Sequence, residues 1–326
     1  MNIPVLTPAE LAARFEELRR PWHKNYLAMY STLWGGIVTD PVLMVIPIDD
    51  HLVHRADGVF DVSRCVDGRA YCLKAHLERL ERSARAIGLT PPPEYAHVEE
   101  IIRAVVQAGG LKDALIRIML SRGPGGFSTN PYECPSSQLY VLTYKIKSPP
   151  LKAYQEGVPI ISAPVPVKSS FFANIKSADY LSNVLVKKAA LDAGVEFAVT
   201  WDENGCLAEG STENVILVSP DHELLLPRFD RVLRGVTVSR TAQLAEKLLD
   251  EGLLRAVRLA DVDRTLAQAC PEVMLCGTSL DVLPVREWDG RPVGDGRPGP
   301  VAKRLLELLR QDMRENQELL TPMFDD

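Results

Sequence analysis

No two cysteines stand at C-x-x-C spacing, although Cys65, Cys72, Cys134, Cys206, Cys270 and Cys276 make six in all. That absence leaves neither a thiolate zinc site nor a small disulfide framework to expect, and the six are read as reduced, mostly buried thiols. Histidine is equally dispersed. His51 and His54 are too few ligands for a metal and read as loop residues beside a strand, so no metal is expected. Positive charge is not in excess either: 37 Lys and Arg face 43 Asp and Glu, for a net charge of −6. This argues against nucleic acid or an anionic membrane as the main partner and leaves small anions open, because a few local cations suffice for them. Long apolar runs are missing. The stretch Val42 to Ile48 is interrupted by Pro47 and too short to span a bilayer, and the N-terminus has neither the basic nor the apolar region of a signal peptide. A cytosolic location and no membrane partner are the resulting expectations.

What is present is an ordinary soluble composition, with 46% apolar and 25% charged residues. At 326 residues the chain exceeds what one hydrophobic core usually organises, so two domains are expected. Thr7-Pro8-Ala9-Glu10 has the form of a capping box, and Leu11, Phe15 and Leu18 follow at helical spacing, which predicts a helix packed on the body. Short β-rich runs at Leu43 to Ile48, Val59 to Cys65 and Ala70 to Leu73 are broken by Asp57-Gly58 and Asp67-Gly68, a hairpin signal. Helices are expected near 75–87 and 97–109. Strands at Leu115 to Ser121 and Gln138 to Lys145 then flank the glycine-rich loop Arg122-Gly123-Pro124-Gly125-Gly126. Pro149-Pro150 resists both helix and central strand and marks a linker. The expected division is an N-terminal helical extension at 1–32, a small α+β domain at 33–147, a linker at 148–154 and a large domain at 155–326. The large domain should carry a strand at Val158 to Ala163, a helix at 178–193 stopped by Gly194, a hairpin at Phe197 to Leu207, and helices at 237–252 and 299–314.

The chemistry is concentrated in two runs of this second half. Lys176 lies in Ile175-Lys176-Ser177-Ala178-Asp179-Tyr180-Leu181, just ahead of a helix, and Glu209 lies in Ala208-Glu209-Gly210-Ser211-Thr212-Glu213-Asn214, where a hairpin strand ends. Either alone reads as a solvated lysine or a turn acid. Together they match two needs of pyridoxal phosphate: an amine to hold it as a Schiff base and an acid to keep its ring nitrogen protonated. Its phosphate needs donors. Leu233-Arg234-Gly235-Val236-Thr237 opens a helix and offers free N–H groups with the Thr237 hydroxyl. Cys276-Gly277-Thr278-Ser279 makes a second turn of small residues, and Arg79, in His76-Leu77-Glu78-Arg79-Leu80, adds a permanent charge.

These runs, with Tyr180, Asn214 and Pro284-Val285, resemble the fold-type IV pyridoxal-phosphate enzymes, which include branched-chain aminotransferases, D-amino acid transaminases and aminodeoxychorismate lyases. The likeness covers about residues 33 to 314 and implies a two-domain α/β fold, an α+β first domain and a mixed, barrel-like second one, usually a homodimer. It implies that Lys176 forms the Schiff base, that Glu209 binds the ring nitrogen, and that Arg79, Tyr180, Val236, Thr237 and Thr278 hold the cofactor. Amino acids and 2-oxo acids are then the substrates. For them the candidates are Phe60, Arg64, Arg117 and Ser279, the two arginines because a guanidinium is a natural carboxylate receptor.

The substrate signals diverge. Branched-chain enzymes carry Phe-Glu-Gly-Ile-Arg where this chain has Phe60-Asp61-Val62-Ser63-Arg64, and Tyr-x-Arg where it has Leu115-Ile116-Arg117. The Arg-x-His that grips substrate carboxylate in D-amino acid transaminases is missing after Arg122-Gly123. The loop Ser121 to Gly126 resembles a lyase loop. His54 to Asp61 with Pro227-Arg228-Phe229-Asp230 resembles the plant-type D-amino acid transaminase-like group. The expected function is transamination of a D- or branched-chain amino acid, with pyruvate elimination from aminodeoxychorismate as the alternative.

Overall fold

The computed structural model describes residues 1–168 and 170–325; Ser169 and Asp326, both inside the expected large domain, lie outside the described residues. Two sheets organise the chain. The first is built from β1 (Tyr26–Ser31), β2 (Gly36–Val38), β3 (Gly58–Val66), β4 (Arg69–Tyr71), β5 (Ala114–Ser121) and β6 (Gln138–Tyr144). The second takes β7 (Val158–Ser162), β8 (Phe197–Trp201), β9 (Leu207–Gly210), β10 (Asn214–Val218), β11 (Glu223–Pro227), β12 (Ala256–Ala260), β13 (Glu272–Gly277), β14 (Asp281–Trp288) and β15 (Arg291–Pro292), after which β16 (Leu320–Pro322) returns to the first.

The first sheet runs β16-β4-β3-β5-β6-β1-β2, all antiparallel. Alternation along its strands separates two faces. Ile116, Ile118 and Leu120 of β5 pack with Leu73, Leu77 and Leu80 of the helix Leu73–Ala86 and with Ile102, Val105 and Val106 of the helix Val98–Gly109. Leu115 and Arg117, one residue out of phase, fall on the other face, with Phe60 and Val62 of β3, and line a cavity.

The second sheet runs β12-β11-β10-β13-β14-β7-β8-β9, and β9 pairs back onto β10 through Glu209 and Asn214, closing six strands into a barrel. Its β14–β7 and β7–β8 pairs are parallel and its other barrel pairs antiparallel. Val215, Leu217, Val273 and Leu275 pack in one core with Ile160, Val199 and Leu283. Their alternates Ile216, Val218, Met274 and Cys276 pack in another with Leu244, Leu248, Leu305 and Leu309 of the helices that follow. A strand buried on both faces reads as a continuous apolar run, as Val215 to Val218 does. Among the described residues no helix is long and apolar enough to cross a membrane.

Several expectations need correction. Tyr26–Ser31, placed in the N-terminal extension, pairs with β6 inside the first sheet, and Leu320–Pro322, placed in the large domain, pairs with β4. The first sheet therefore takes one strand from before residue 33 and another from residues 320–322. The expected linker at 148–154 runs into a helix at Leu151–Glu156, for which Pro150 is the N-cap. Leu43 to Ile48 is not a strand: Asp40 accepts the Val42 N–H and opens a 3-10 turn at Pro41–Leu43 instead. The helix Pro8–Arg14 has its capping box, yet it buries no residue, and Leu11 and Leu18 stay exposed.

Candidate active site

A cavity of about 270 Å³ lies between the first sheet and the barrel. Lys176 enters it from a segment tied to β3 of the first sheet and to the helix Leu73–Ala86 packed on it. Its carbonyl accepts from Phe60 N at 3.0 Å, Ala178 N donates to Gly58 O at 2.9 Å, and Lys176 N donates to Ser83 Oγ at 3.2 Å. The amine donates to Tyr180 Oη at 3.1 Å and makes no ion pair among the described residues. Burial, with the Arg79 charge nearby, lowers its pKa from 10.5 to about 8. Tyr180 stacks edge-on against Phe60 at 5.0 Å, and burial with the Glu209 charge raises its phenol.

Glu209 is the penultimate residue of β9, where the β8–β9 hairpin meets β10. Its carboxylate accepts from Leu233 N at 3.2 Å, and burial pushes its pKa from 4.5 up to about 7 against that bond and the Lys176 charge. The turn after it is braced by Glu213, which accepts from Thr212 N at 3.0 Å, Thr212 Oγ1 at 2.7 Å and Ser211 Oγ at 3.3 Å. Gly235 caps the helix Val236–Leu244, so the free N–H groups of its first turn and Thr237 open on the cavity. Asn214 Nδ2 donates to Leu233 O at 2.8 Å and holds that approach. Gly277, Thr278 and Ser279, in the turn between β13 and β14, complete the wall.

Arg79 reaches the same wall from the first domain. Its Nε and Nη2 each donate to Asp61 at 2.8 Å, and Nη1 donates to Arg234 O at 3.3 Å. Asp61 is fully buried and also accepts from His76 Nδ1 and Val62 N, both at 2.7 Å. Burial alone would raise the Asp61 carboxyl, but Arg79 and His76 hold it well below the usual range.

The structure thus gathers Lys176, Tyr180, Glu209, Arg79, Val236, Thr237, Thr278, Ser279, Phe60 and Arg117 around one cavity. Arg117 stands with its guanidinium 5.0 Å from the Phe60 ring and 5.8 Å from Tyr144, and no carboxylate pairs with it among the described residues. Arg64 is the exception and is corrected. It does not line the cavity, because its Nη1 is held at 2.6 Å by Asp281, which Arg310 also contacts at 3.0 Å. The loop 122–126 is also placed elsewhere. Arg122 grips Asp57 with two bonds of 3.0 Å, and Gly126 O accepts from His51 Nε2 at 2.8 Å. Sequence reasoning missed Asp61, Val62, Leu115, Tyr144, Asn183, Glu213 and Leu233. No local signal marks Asp61, because His76 and Arg79 reach it only across the contact between β3 and the helix Leu73–Ala86.

A free amine, a half-buried acid, two donor-rich turns and a guanidinium on one cavity suit the aldehyde, ring nitrogen and phosphate of pyridoxal phosphate. Gly235 shows how close that wall is, since a Cβ there would lie 2.1 Å from Asn214 Oδ1. Comparison with known proteins agrees. Residues 58–288 match the family described as amino-transferase class IV. The chain is 38% identical over 314 residues to a D-amino-acid transaminase, chloroplastic, of Arabidopsis thaliana, covering 96% of this chain and 83% of that protein. It is 28% identical over 264 residues to a putative branched-chain-amino-acid aminotransferase of Methanocaldococcus jannaschii, covering 80% and 89%. The structure of the T.th. branched-chain amino acid aminotransferase with pyridoxamine 5'-phosphate superposes with a TM-score of 0.84 at 25% identity, covering 92% of this chain and 99% of that one. The chain belongs to the class IV aminotransferases, pyridoxal-phosphate-dependent enzymes of fold type IV that carry out transamination.

Proposed function

We propose that this chain transfers the amino group of a D-amino acid to a 2-oxo acid, with Lys176 as the residue that carries the cofactor and moves the proton. The observation that carries this reading is the Lys176 amine, without a carboxylate partner among the described residues, on the same cavity as Glu209 and both donor turns. When bound, pyridoxal phosphate supplies an electron sink that stabilises a negative charge developing at the substrate α-carbon. Arg79, Val236 N–H, Thr237 and Thr278 would hold its phosphate, Glu209 its ring nitrogen, and Tyr180 would orient the amine.

Lys176 serves twice. Its lowered pKa leaves a useful fraction of neutral amine near neutrality, the form that could hold the cofactor, and with the cofactor and substrate in place the same Nζ would take the proton from the substrate α-carbon and deliver it to the cofactor. Arg117 would take a substrate carboxylate, with Phe60 and Ser279 beside it. Donor and acceptor use the same site in turn, a ping-pong order.

The D-amino acid assignment draws support from the 38% identity to the plant D-amino-acid transaminase, against 28% for the branched-chain relative. The lyase alternative leaned on the loop Ser121 to Gly126, none of whose residues lines the cavity. We also propose a homodimer, in which apolar side chains now exposed around β2, such as Trp34, Leu43 and Ile48, become covered.

A panel of D- and L-amino acids with 2-oxoglutarate tests the function. D-alanine is expected to turn over, and Lys176→Ala to abolish both turnover and the visible absorbance of bound cofactor. Faster reaction of L-leucine or L-valine than of any D-amino acid would overturn the substrate assignment, and an active Lys176→Ala the mechanism.

A further inference from the structure

We propose that Asp61 is a positioning residue for the cofactor's phosphate, acting through Arg79, with His76 as the strut that orients its carboxylate. This rests on the reading above, in which Arg79 is a phosphate ligand.

Arg79 has five N–H donors, and how they are divided decides what it offers the cavity. Asp61 takes one edge of the guanidinium, through Nε and Nη2. Arg234 O accepts one bond from Nη1. The donors left over belong to the two terminal nitrogens of a residue that lines the cavity. A long side chain with several rotamers is thereby reduced to one presentation.

Asp61 is itself over-determined. It is fully buried, and four N–H groups converge on it: Val62 N, His76 Nδ1 and two from Arg79. Held ionised, a carboxylate can only accept, so His76 donates from Nδ1. His76 and Arg79 stand three residues apart on one helix, hence on one face, and both reach the same acid on β3. The pair with Asp61 also neutralises Arg79. A purely coulombic contribution from Asp61 would therefore weaken phosphate binding, whereas a positioning contribution strengthens it. The two accounts predict opposite signs.

The experiment measures binding of pyridoxal phosphate and of pyridoxal, which lacks the phosphate, to the full chain stripped of cofactor. The readout is the ratio of the two dissociation constants. Asp61→Asn, nearly isosteric, is expected to reduce the preference for the phosphorylated form by about ten- to a hundredfold, the scale of a charge-assisted hydrogen bond, with pyridoxal binding little changed. Asp61→Glu, which restores a carboxylate, should recover part of the preference. A ratio in Asp61→Asn that is unchanged, or shifted toward tighter phosphate binding, overturns the proposal. Arg79→Gln separates the two levels: if it leaves the ratio unchanged, the assignment of Arg79 to phosphate has failed, and if it alone lowers the ratio, only the role of Asp61 has. Should Asp61→Asn not fold, His76→Asn decides, for which a several-fold loss of preference supports the strut and an unchanged ratio overturns it.

Discussion

The Lys176 amine and the Tyr180 hydroxyl are joined by a hydrogen bond of 3.1 Å, while the Tyr180 ring packs edge-on against Phe60. The bond spans four residues, just ahead of the helix Leu181–Asp192. Tyr180 Oη is therefore placed by the helix start, and it fixes where Nζ points. Tyr180→Phe keeps the ring contact and removes only that acceptor. Turnover is expected to fall by about tenfold, the scale of one hydrogen bond to a charged group, with cofactor still attached. Steady-state kinetics beside a visible spectrum checks this; unchanged turnover would remove Tyr180 from the site.

Attachment of the cofactor should follow the Lys176 pKa. Only the neutral amine is nucleophilic, and burial with the Arg79 charge places its midpoint at about 8 rather than 10.5. The attachment rate should rise with pH through about 8 and level off above it. Arg79→Gln removes one of the charges that lower this pKa, so its midpoint should move upward. A rate that keeps climbing to the ordinary lysine range in the parent chain would contradict the assignment.

Glu209 and Lys176 both burden the cofactor-free fold. Glu209 has its pKa raised from 4.5 to about 7, so the folded state holds a proton the unfolded chain releases, and stability falls as pH rises from 4.5 through 7. Lys176 is depressed from 10.5 to about 8, so its cost grows as pH falls from 10.5 through 8. Between pH 7 and 8 both charges are held at a cost. Glu209→Gln and Lys176→Met should each stabilise the cofactor-free protein there by on the order of 1 kcal/mol, a value discounted for water in the open cavity. Thermal melts at pH 7.5 measure it, and a lowered Tm in both variants would refute the account.

How much of this was legible beforehand depended on whether a residue's role is written in its own neighbourhood. Lys176 before a helix, Glu209 where a hairpin strand ends and Thr237 at a helix opening are local backbone features, and their chemistry could be read from adjacent residues. Asp61 could not, because its partners lie across a strand–helix contact. Arg64 and Arg117 looked alike as candidate carboxylate receptors; only the approach of Asp281 from the barrel neutralises one and leaves the other facing the cavity. Tyr26–Ser31 escaped notice for a similar reason, since its place in the sheet depends on β6, far along the chain. The glycine-rich loop misled in the opposite direction. Gly123 adopts φ +100 and a Cβ there would lie 2.0 Å from Ser136 O, so its glycine answers to a tight turn, away from the cavity.

The two arginines should separate in experiment as they do in space. Arg117→Gln removes the cavity's guanidinium and should raise KM for the amino acid by about ten- to a hundredfold, with little change in stability. Arg64→Gln strips one of two partners from buried Asp281 and should destabilise the fold by about 2 kcal/mol with KM unchanged. Reversed results would restore Arg64 as the carboxylate ligand.

Gly235 gives the sharpest steric test. Its φ of −66 suits any residue, so Gly235→Ala brings no backbone strain. The added Cβ instead meets Asn214 Oδ1 at 2.1 Å, an overlap that forces the amide away from Leu233 O. Leu233 N is the Glu209 donor, so one displaced side chain disturbs both the helix opening and the acid. Cofactor affinity is expected to fall by about tenfold or more in Gly235→Ala, the scale of one lost charge-assisted hydrogen bond, with the fold intact. Asn214→Ala alone should weaken binding too, by removing the bond to Leu233 O. Combined, the two substitutions should be less damaging than the sum of their separate effects, because the clash needs both side chains. Strict additivity of the two binding losses would show that Gly235 is glycine for another reason.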